Sequence, residues 1–181
     1  MKLLFLIAGL VLVTHAKALS QTFELTYVQN NPVQLIELKL QDQFGDEWVL
    51  PDNAGKPAIL FFLPKVPNRD EGKAEMNKVR SYIRYIEKSY DNEIQTLFII
   101  EPYRTGPLIN RILQSRLRDE TFSIVADSNA EIINQTKDGT EGLYFWIVDS
   151  EGEIIHRSSP GFSEKEWEMT QSTVKHQLRN Q

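Results

Sequence analysis

An unbroken apolar run from Ala58 to Leu63 (AILFFL), followed by a long amphipathic segment, places the strongest constraint on the fold. A run of this length without alternation is typical of a strand whose two faces are both buried, at the centre of a sheet. From Glu71 to Tyr90 apolar residues recur every three or four positions, which predicts a helix with one apolar stripe; the stripe consists of Met76, Val79, Ile83, Ile86 and Tyr90. A second buried strand is predicted from Ile94 to Ile100 (IQTLFII), so this region forms a parallel strand-helix-strand unit.

Turn and cap residues divide the rest of the chain into short elements. In chain order, we predict strands from Phe23 to Val28 and Val33 to Leu40, a helix from Pro107 to Leu117, a strand from Phe122 to Ala126, a helix from Ser128 to Thr136 capped by Asp127 or Ser128, strands from Leu143 to Val148 and Glu153 to Ser158, and a last helix from Ser163 to Arg179. Ser163 and Glu166 have the spacing of a capping box. This order predicts an α/β fold, a three-layer sandwich in which helices flank a mixed central sheet.

The first 18 residues have the features of a signal peptide, so the predicted single domain covers residues 19–181. Lys2 gives a positive start, Leu3 to Val13 is apolar, and Ala16 and Ala18 are the small residues that a signal peptidase requires. We predict cleavage after Ala18. The apolar run has roughly half the length that a membrane-spanning helix needs, and Leu19 stands where a lipid anchor would need cysteine. The expected location is therefore the periplasm or the secreted space, with no stable membrane anchor.

The composition excludes several functional classes. The sequence contains no cysteine, so it can form no disulfide, thiolate metal site or thiol nucleophile. With 20 basic and 25 acidic residues the net charge is −5, which argues against a nucleic-acid-binding protein. Asn134-Gln135-Thr136 fits a glycosylation acceptor, which would matter only in a eukaryotic source.

Three segments resemble the redoxin branch of the thioredoxin fold, the group that holds peroxiredoxins and periplasmic thiol-disulfide oxidoreductases. Leu40 to Phe62 (LQDQFGDEWVLPDNAGKPAILFF) is similar to the lead-in of that group, Phe122 to Asp127 (FSIVAD) to the segment before its insertion helix, and Phe145 to Ile154 (FWIVDSEGEI) to its hairpin. The resemblance spans roughly Val33 to Leu178. It implies a thioredoxin-like sandwich with redoxin-type N-terminal strands and an extra strand-helix insertion.

In this group the reactive cysteines stand where the first core strand meets the long helix, because a helix N-terminus lowers the pKa of a thiol. Aligned to the peroxiredoxin loop, Asn68 holds the threonine position and Glu71 the cysteine position. Aligned to the Cys-x-x-Cys motif, Arg69 and Gly72 replace the two cysteines. At the cis-proline position the sequence has Gly142-Leu143, where we expect a trans bond because a non-proline cis bond costs about 2.5–4 kcal/mol. The resemblance therefore implies a scaffold that has lost thiol peroxidase and disulfide oxidoreductase activity.

Other catalytic chemistries have little support in the sequence. Asp70, Glu71 and Glu75 cluster near the predicted helix start, which favours charged carboxylates, whereas acid-base catalysis needs one carboxyl held protonated. His156 and His176 are far apart in sequence and lack metal-ligand spacing. We predict no catalytic residue, no metal and no cofactor. The alternative is an enzyme that uses non-thiol groups or a bound cofactor in the former pocket.

The resemblance implies that three loops meet at one end of the sheet, which is the partner-binding face of the family. They are the loop from Pro64 to Asp70, the loop beyond the second buried strand and the loop from Thr140 to Leu143. The predicted contact residues are Pro64, Val66, Pro67, Arg69, Tyr103, Gly142 and Leu143. We expect an exported, redox-inactive module that binds an unidentified protein or peptide, with a purely structural subunit of an envelope assembly as a further alternative.

Overall fold

The structure of the protein, a computed structural model, describes residues 22–27, 34–51, 55–102, 113, 115–136 and 142–179. The predicted signal peptide, its cleavage site and Tyr103 lie outside these residues. Eleven helices and strands are described, here numbered in chain order: β1 Thr22–Tyr27, β2 Gln34–Gln41, β3 Glu47–Leu50, β4 Ala58–Leu63, α1 Arg69–Tyr90, β5 Gln95–Ile100, β6 Ile124–Ala126, α2 Glu131–Thr136, β7 Tyr144–Val148, β8 Ile154–Arg157 and α3 Glu164–Arg179. Residues 113 and 115–117 are also helical, at the end of the helix predicted from Pro107.

The five core strands form the predicted mixed sheet. Its order is β6-β5-β4-β7-β8, and β4, β5 and β6 run parallel. Strand β7 is antiparallel to β4, and β8 returns antiparallel to β7 as the second strand of the hairpin. Strand β6 and helix α2 are the additional strand-helix unit before the hairpin. The fold class predicted from the sequence is therefore confirmed.

Strands β1, β2 and β3 form a separate three-stranded antiparallel sheet. The buried amide of Gln43 links this sheet to the core sheet, because its Nε2 donates to the Phe122 carbonyl at 2.7 Å and its Oε1 accepts from the Ile124 N–H at 2.6 Å. The Ile36 N–H also donates to the Gly152 carbonyl at 2.9 Å. The N-terminal strands are therefore fixed to the domain at two places.

Each face of the core sheet has its own hydrophobic cluster, because successive side chains of a strand point to opposite faces. On one face, Phe61 and Phe145 pack with the apolar stripe of α1 and with Trp167 of α3. On the other face, Phe62 and Trp146 pack with residues of β2, β3 and α2. The three layers are thus α1 with α3, the core sheet, and the N-terminal sheet with α2. No helix in the described ranges is long and apolar enough to cross a membrane.

Several predicted boundaries and caps need correction. Helix α1 begins at Arg69 and not at Glu71, because Asn68 caps it. Helix α2 begins at Glu131 and not at Ser128, with Asp127 as the side chain that binds its N–H groups: the Glu131 and Ile133 N–H groups donate to its carboxylate at 3.0 and 2.9 Å.

The start of α3 follows the prediction in part. The Ser163 hydroxyl accepts from the Glu166 N–H at 3.2 Å, as a cap does. The Glu166 carboxylate, however, accepts from the Ser159 N–H at 2.8 Å. The predicted reciprocal bond of the capping box is therefore replaced by a bond that ties the helix to the loop after β8.

Candidate functional site

The predicted site lies at the edge of the core sheet where β4 and β5 end and β7 begins. Phe62 of β4 is paired with Tyr144 of β7, and continuing this register places Pro64 beside Gly142. Residues 64–68, 101–102 and 142–143 therefore meet at one edge, which we call the loop end. This is the edge at which open α/β sheets commonly carry their binding sites.

Hydrogen bonds hold two of these loops together. The Lys65 N–H donates to the Glu101 carboxylate at 3.1 Å, and the Glu101 N–H donates to the Leu63 carbonyl at 2.9 Å. Glu101 is not among the site residues predicted from the sequence. Its only sequence signal is its position directly after a buried strand.

Side chains at the start of α1 form hydrogen bonds with its first turn and with each other. Asn68 Oδ1 accepts from the N–H groups of Asp70 and Glu71, both at 3.0 Å, and Asn68 Nδ2 donates to Glu71 Oε1 at 2.7 Å. These contacts satisfy orphan N–H groups of the first turn, which is the role of an N-cap residue. The two positions aligned with the peroxiredoxin loop, Asn68 and Glu71, therefore form a structural cap.

The two residues aligned with the Cys-x-x-Cys motif, Arg69 and Gly72, also lie at this helix start. Arg69 is the first residue of α1 and its side chain is exposed. Gly72 is half-buried, and a Cβ atom at this position would lie 3.0 Å from Val66 Cγ2. A side chain at residue 72 would therefore push against the loop that leads into the helix.

At the position aligned with the cis-proline of the redoxin group, two backbone segments approach each other closely. The one cis peptide bond among the described residues joins Leu50 to Pro51, so the Gly142-Leu143 bond is trans, as predicted. Gly142 has φ +105°, and a Cβ there would lie 3.2 Å from the Gly161 nitrogen. The Gly161 N–H donates to the Leu143 carbonyl at 2.7 Å. The close approach of these two backbone segments fixes the β7 side of the loop end.

The predicted contact residues differ in what they offer to a partner. Pro67 and Arg69 are exposed and Val66 is half-buried, so their side chains are accessible. Pro64 and Leu143 are buried, and Leu143 packs in the cluster that also contains Phe145 and Trp167. The accessible part of the loop end is therefore the segment around Val66, Pro67 and Arg69, with Pro64 and Leu143 beneath it.

Glu75 is a further charged residue near the loop end that the sequence analysis treated only as part of the helix start. It stands four residues before Val79, in line with the apolar stripe of α1, and that register is its sequence signal. Its Oε2 atom is buried and has no hydrogen-bond partner among the described residues. Burial raises the pKa of Tyr82 on the same helix, and the negative charges of Glu164 and Glu75 raise it further.

The described residues contain no group of three or more His, Asp or Glu side chains that could hold a metal ion. His156 lies on β8, where its ring packs against Phe145 at 5.6 Å, and His176 lies on α3. Burial lowers the pKa of His156, and the charge of Glu166 opposes this effect. Asn134, in the possible glycosylation triplet, is exposed on α2.

The strand order and the flanking layers together define a thioredoxin-like fold, in a chain that has no cysteine. Solved structures of this fold include the exposed lipoprotein thioredoxin of Streptococcus pneumoniae, which is 18% identical to this chain with a TM-score of 0.56, over 77% of this chain and 98% of that one. Another is the peroxidoxin BcpB of Mycobacterium tuberculosis, with 16% identity and a TM-score of 0.53, over 77% of this chain and 92% of that one.

A third similar structure is the thioredoxin domain of a thiol-disulfide oxidoreductase from Bacteroides vulgatus, with 14% identity and a TM-score of 0.52, over 76% of this chain and 93% of that one. At these identities the likeness concerns the fold alone. No protein-family model and no curated protein matches the sequence.

Proposed function

We propose that this chain is an exported, redox-inactive thioredoxin-like module that binds a protein or an extended peptide at the loop end. The accessible side chains of Val66, Pro67 and Arg69 form the contact surface. Export to the periplasm or the secreted space rests on the signal-like segment of residues 1–18, and one of the similar structures is itself an exposed lipoprotein.

One observation carries the redox-inactive part of the proposal. At the helix start where a thiolate would be stabilised, Asn68 and Glu71 use their polar atoms on each other and on the backbone of the first turn. Neither side chain carries a thiol, and the sequence contains no cysteine that could supply one. What the loop end keeps is its shape at the strand ends, which supports binding over catalysis.

The test of binding is site-specific photo-crosslinking in the native compartment. The crosslinking amino acid p-benzoylphenylalanine would replace Pro67 at the loop end or, as a matched control, the exposed Ser89 at the far end of the same helix. We expect a discrete adduct from position 67 that is lost in the Val66→Asp, Arg69→Glu double variant. Equal adducts from positions 67 and 89, or an adduct that survives the double variant, would contradict the proposal.

A second candidate, an enzyme that uses non-thiol groups, is favoured by the buried Oε2 of Glu75, which has no hydrogen-bond partner among the described residues. Carboxyl groups are common general acids and bases in enzymes. A hydrolase panel with ester, peptide and glycoside substrates would distinguish the two candidates. Turnover by the purified protein that Glu75→Gln abolishes would favour the enzyme, and activity in a peroxide or insulin-reduction assay would contradict the redox-inactive module.

A further inference from the structure

A second concave surface lies at the opposite edge of the core sheet from the loop end. It is a cleft of about 280 Å³, close to the lower limit of the volumes usual for small-molecule sites. Its walls come from β3, the segment before β4, the end of α1, and the starts of β5 and β6; the lining residues are Trp48, Lys56, Glu87, Asn92, Ile94, Gln95, Thr96, Thr121, Phe122 and Ser123. The six residues of β5 are separated by five steps of about 3.3 Å, so this cleft, which we call the Trp48 cleft, is roughly 17 Å from the loop end.

The walls of the Trp48 cleft are held in place by hydrogen bonds. The Gln95 N–H donates to the Pro57 carbonyl at 2.9 Å, and the Phe98 N–H donates to the Ser123 carbonyl at 3.1 Å. The Ser123 hydroxyl donates to the Asp42 carboxylate at 2.9 Å, so its remaining capacity in the cleft is that of an acceptor. The cleft is therefore formed before any ligand arrives, which lowers the entropy cost of binding.

Gln95 gives the first indication of a ligand. Its Nε2 atom is buried and has no acceptor among the described residues. A buried amide donor without a partner is unfavourable, and most such groups in proteins are satisfied. Gln95 also lines the cleft, so an acceptor oxygen of a bound molecule would satisfy this amide once the side chain turns toward the cleft.

The charge of the cleft selects the class of that molecule. One cation, Lys56, and one anion, Glu87, line it, and neither forms an ion pair with another described residue. The remaining polar lining is neutral and consists of the amides of Asn92 and Gln95 and the hydroxyls of Thr96, Thr121 and Ser123. A balanced site with many neutral donors and acceptors suits a molecule with several hydroxyl groups and no net charge.

Trp48 adds an aromatic wall. It is half-buried, packs against the cluster beneath the N-terminal sheet and lines the cleft. The face of an indole ring carries negative charge density and attracts the slightly positive C–H groups of a saturated ring. We propose that the Trp48 cleft binds a single neutral sugar ring, with Trp48 as the stacking surface and Lys56, Glu87 and Gln95 as partners of its hydroxyl groups.

The test is a titration of the purified protein followed by ¹H–¹⁵N NMR, with glucose, galactose and N-acetylglucosamine as probes. We expect saturable shifts at the Trp48 indole N–H, the Gln95 side-chain amide and the Thr121 backbone N–H, and none at the backbone N–H groups of Asn68 and Arg69. Gln95→Leu and Thr121→Val should each weaken binding by about tenfold, while Ser172→Ala, which removes an exposed hydroxyl from α3, should leave it unchanged.

Three outcomes would overturn the proposal: no saturable shift with any of the three sugars, shifts confined to the loop end, or saturation by acetate or glycine and not by sugars. Shifts confined to the loop end would mean that the cleft binds none of the sugars. Saturation by acetate or glycine alone would mean that it binds an anion or a zwitterion. Because the readout concerns residues at the opposite edge of the sheet, it is independent of the crosslinking test of the loop end.

Discussion

Asn68 is the residue on which the start of α1 depends most. Its Oδ1 accepts two backbone N–H groups at 3.0 Å, so Asn68→Ala leaves both without a protein partner. We expect this change to lower the free energy of unfolding by about 1 kcal/mol in urea denaturation. Asn68→Asp keeps the acceptor and should retain most of the stability. Equal losses in the two variants would show that the cap contributes little.

Substitutions at Gly142 and Gly161 distinguish the energetic cost of a strained backbone conformation from that of a close contact. Both have positive φ, but a Cβ would meet the Gly161 nitrogen at 3.2 Å in the first case and nothing within 4 Å in the second. Gly161→Ala should cost about 1–2 kcal/mol from conformation alone. Gly142→Ala should cost clearly more, because it also forces apart the backbones joined by the Leu143–Gly161 hydrogen bond. Thermal unfolding of both variants measures the difference, and equal costs would contradict this account.

His156 should make stability depend on pH. Its pKa in the folded chain is lowered by burial, so below its ordinary value of 6.5 the unfolded chain binds protons more readily than the folded one. The contribution is therefore complete above about pH 7.5 and is lost as the pH falls through 6.5 and below. His156→Gln should flatten this part of the curve of unfolding free energy against pH. Parallel curves for the two proteins would mean that another group causes the dependence.

At the scale of elements, local patterns were sufficient for most of the fold. The buried strands β4 and β5 and the apolar stripe of α1 are predicted from adjacent residues, because their hydrophobic patterns depend on little else. That the predicted site loops share one end of the sheet was implied by the resemblance to the redoxin group. The prediction of a capping box at Ser163 was wrong in one bond, because Glu166 contacts Ser159, and that contact depends on how α3 approaches the loop after β8.

Helix α3 docks on the core sheet mainly through Trp167. Its ring lies 4.4 Å from that of Tyr82 and makes an edge contact with Phe145 at 5.6 Å. Trp167→Ala should therefore lower the free energy of unfolding by about 3–5 kcal/mol. Met169→Ala on the same helix, where 57% of the side chain is exposed, should change it by less than about 0.5 kcal/mol. If chemical denaturation gave similar losses for both, α3 would not be held by its aromatic face.

At the scale of the whole molecule, the long-range polar contacts could not be predicted from the sequence. Gln43 binds Phe122 and Ile124 across about 80 residues, and Glu101 binds Lys65 across 36. Nothing in the local pattern around these residues distinguishes them from exposed polar side chains. The same holds for Glu75 Oε2 and Gln95 Nε2, which are buried without a partner in the described part of the chain, since burial of a single atom depends on the packing of several elements.

The whole fold also determines how reactive an introduced cysteine thiol would be. The sequence has no cysteine, so a variant with one cysteine reports on one position only. A thiol introduced as Glu71→Cys lies at the N-terminus of α1, where the helix lowers a thiol's pKa below about 8.5. Alkylation by iodoacetamide at pH 7 should then be several times faster than for Ser89→Cys, at the exposed C-terminal end of the same helix. Equal rates would mean that this scaffold has lost the electrostatic setting of thiol chemistry as well as the sulfur.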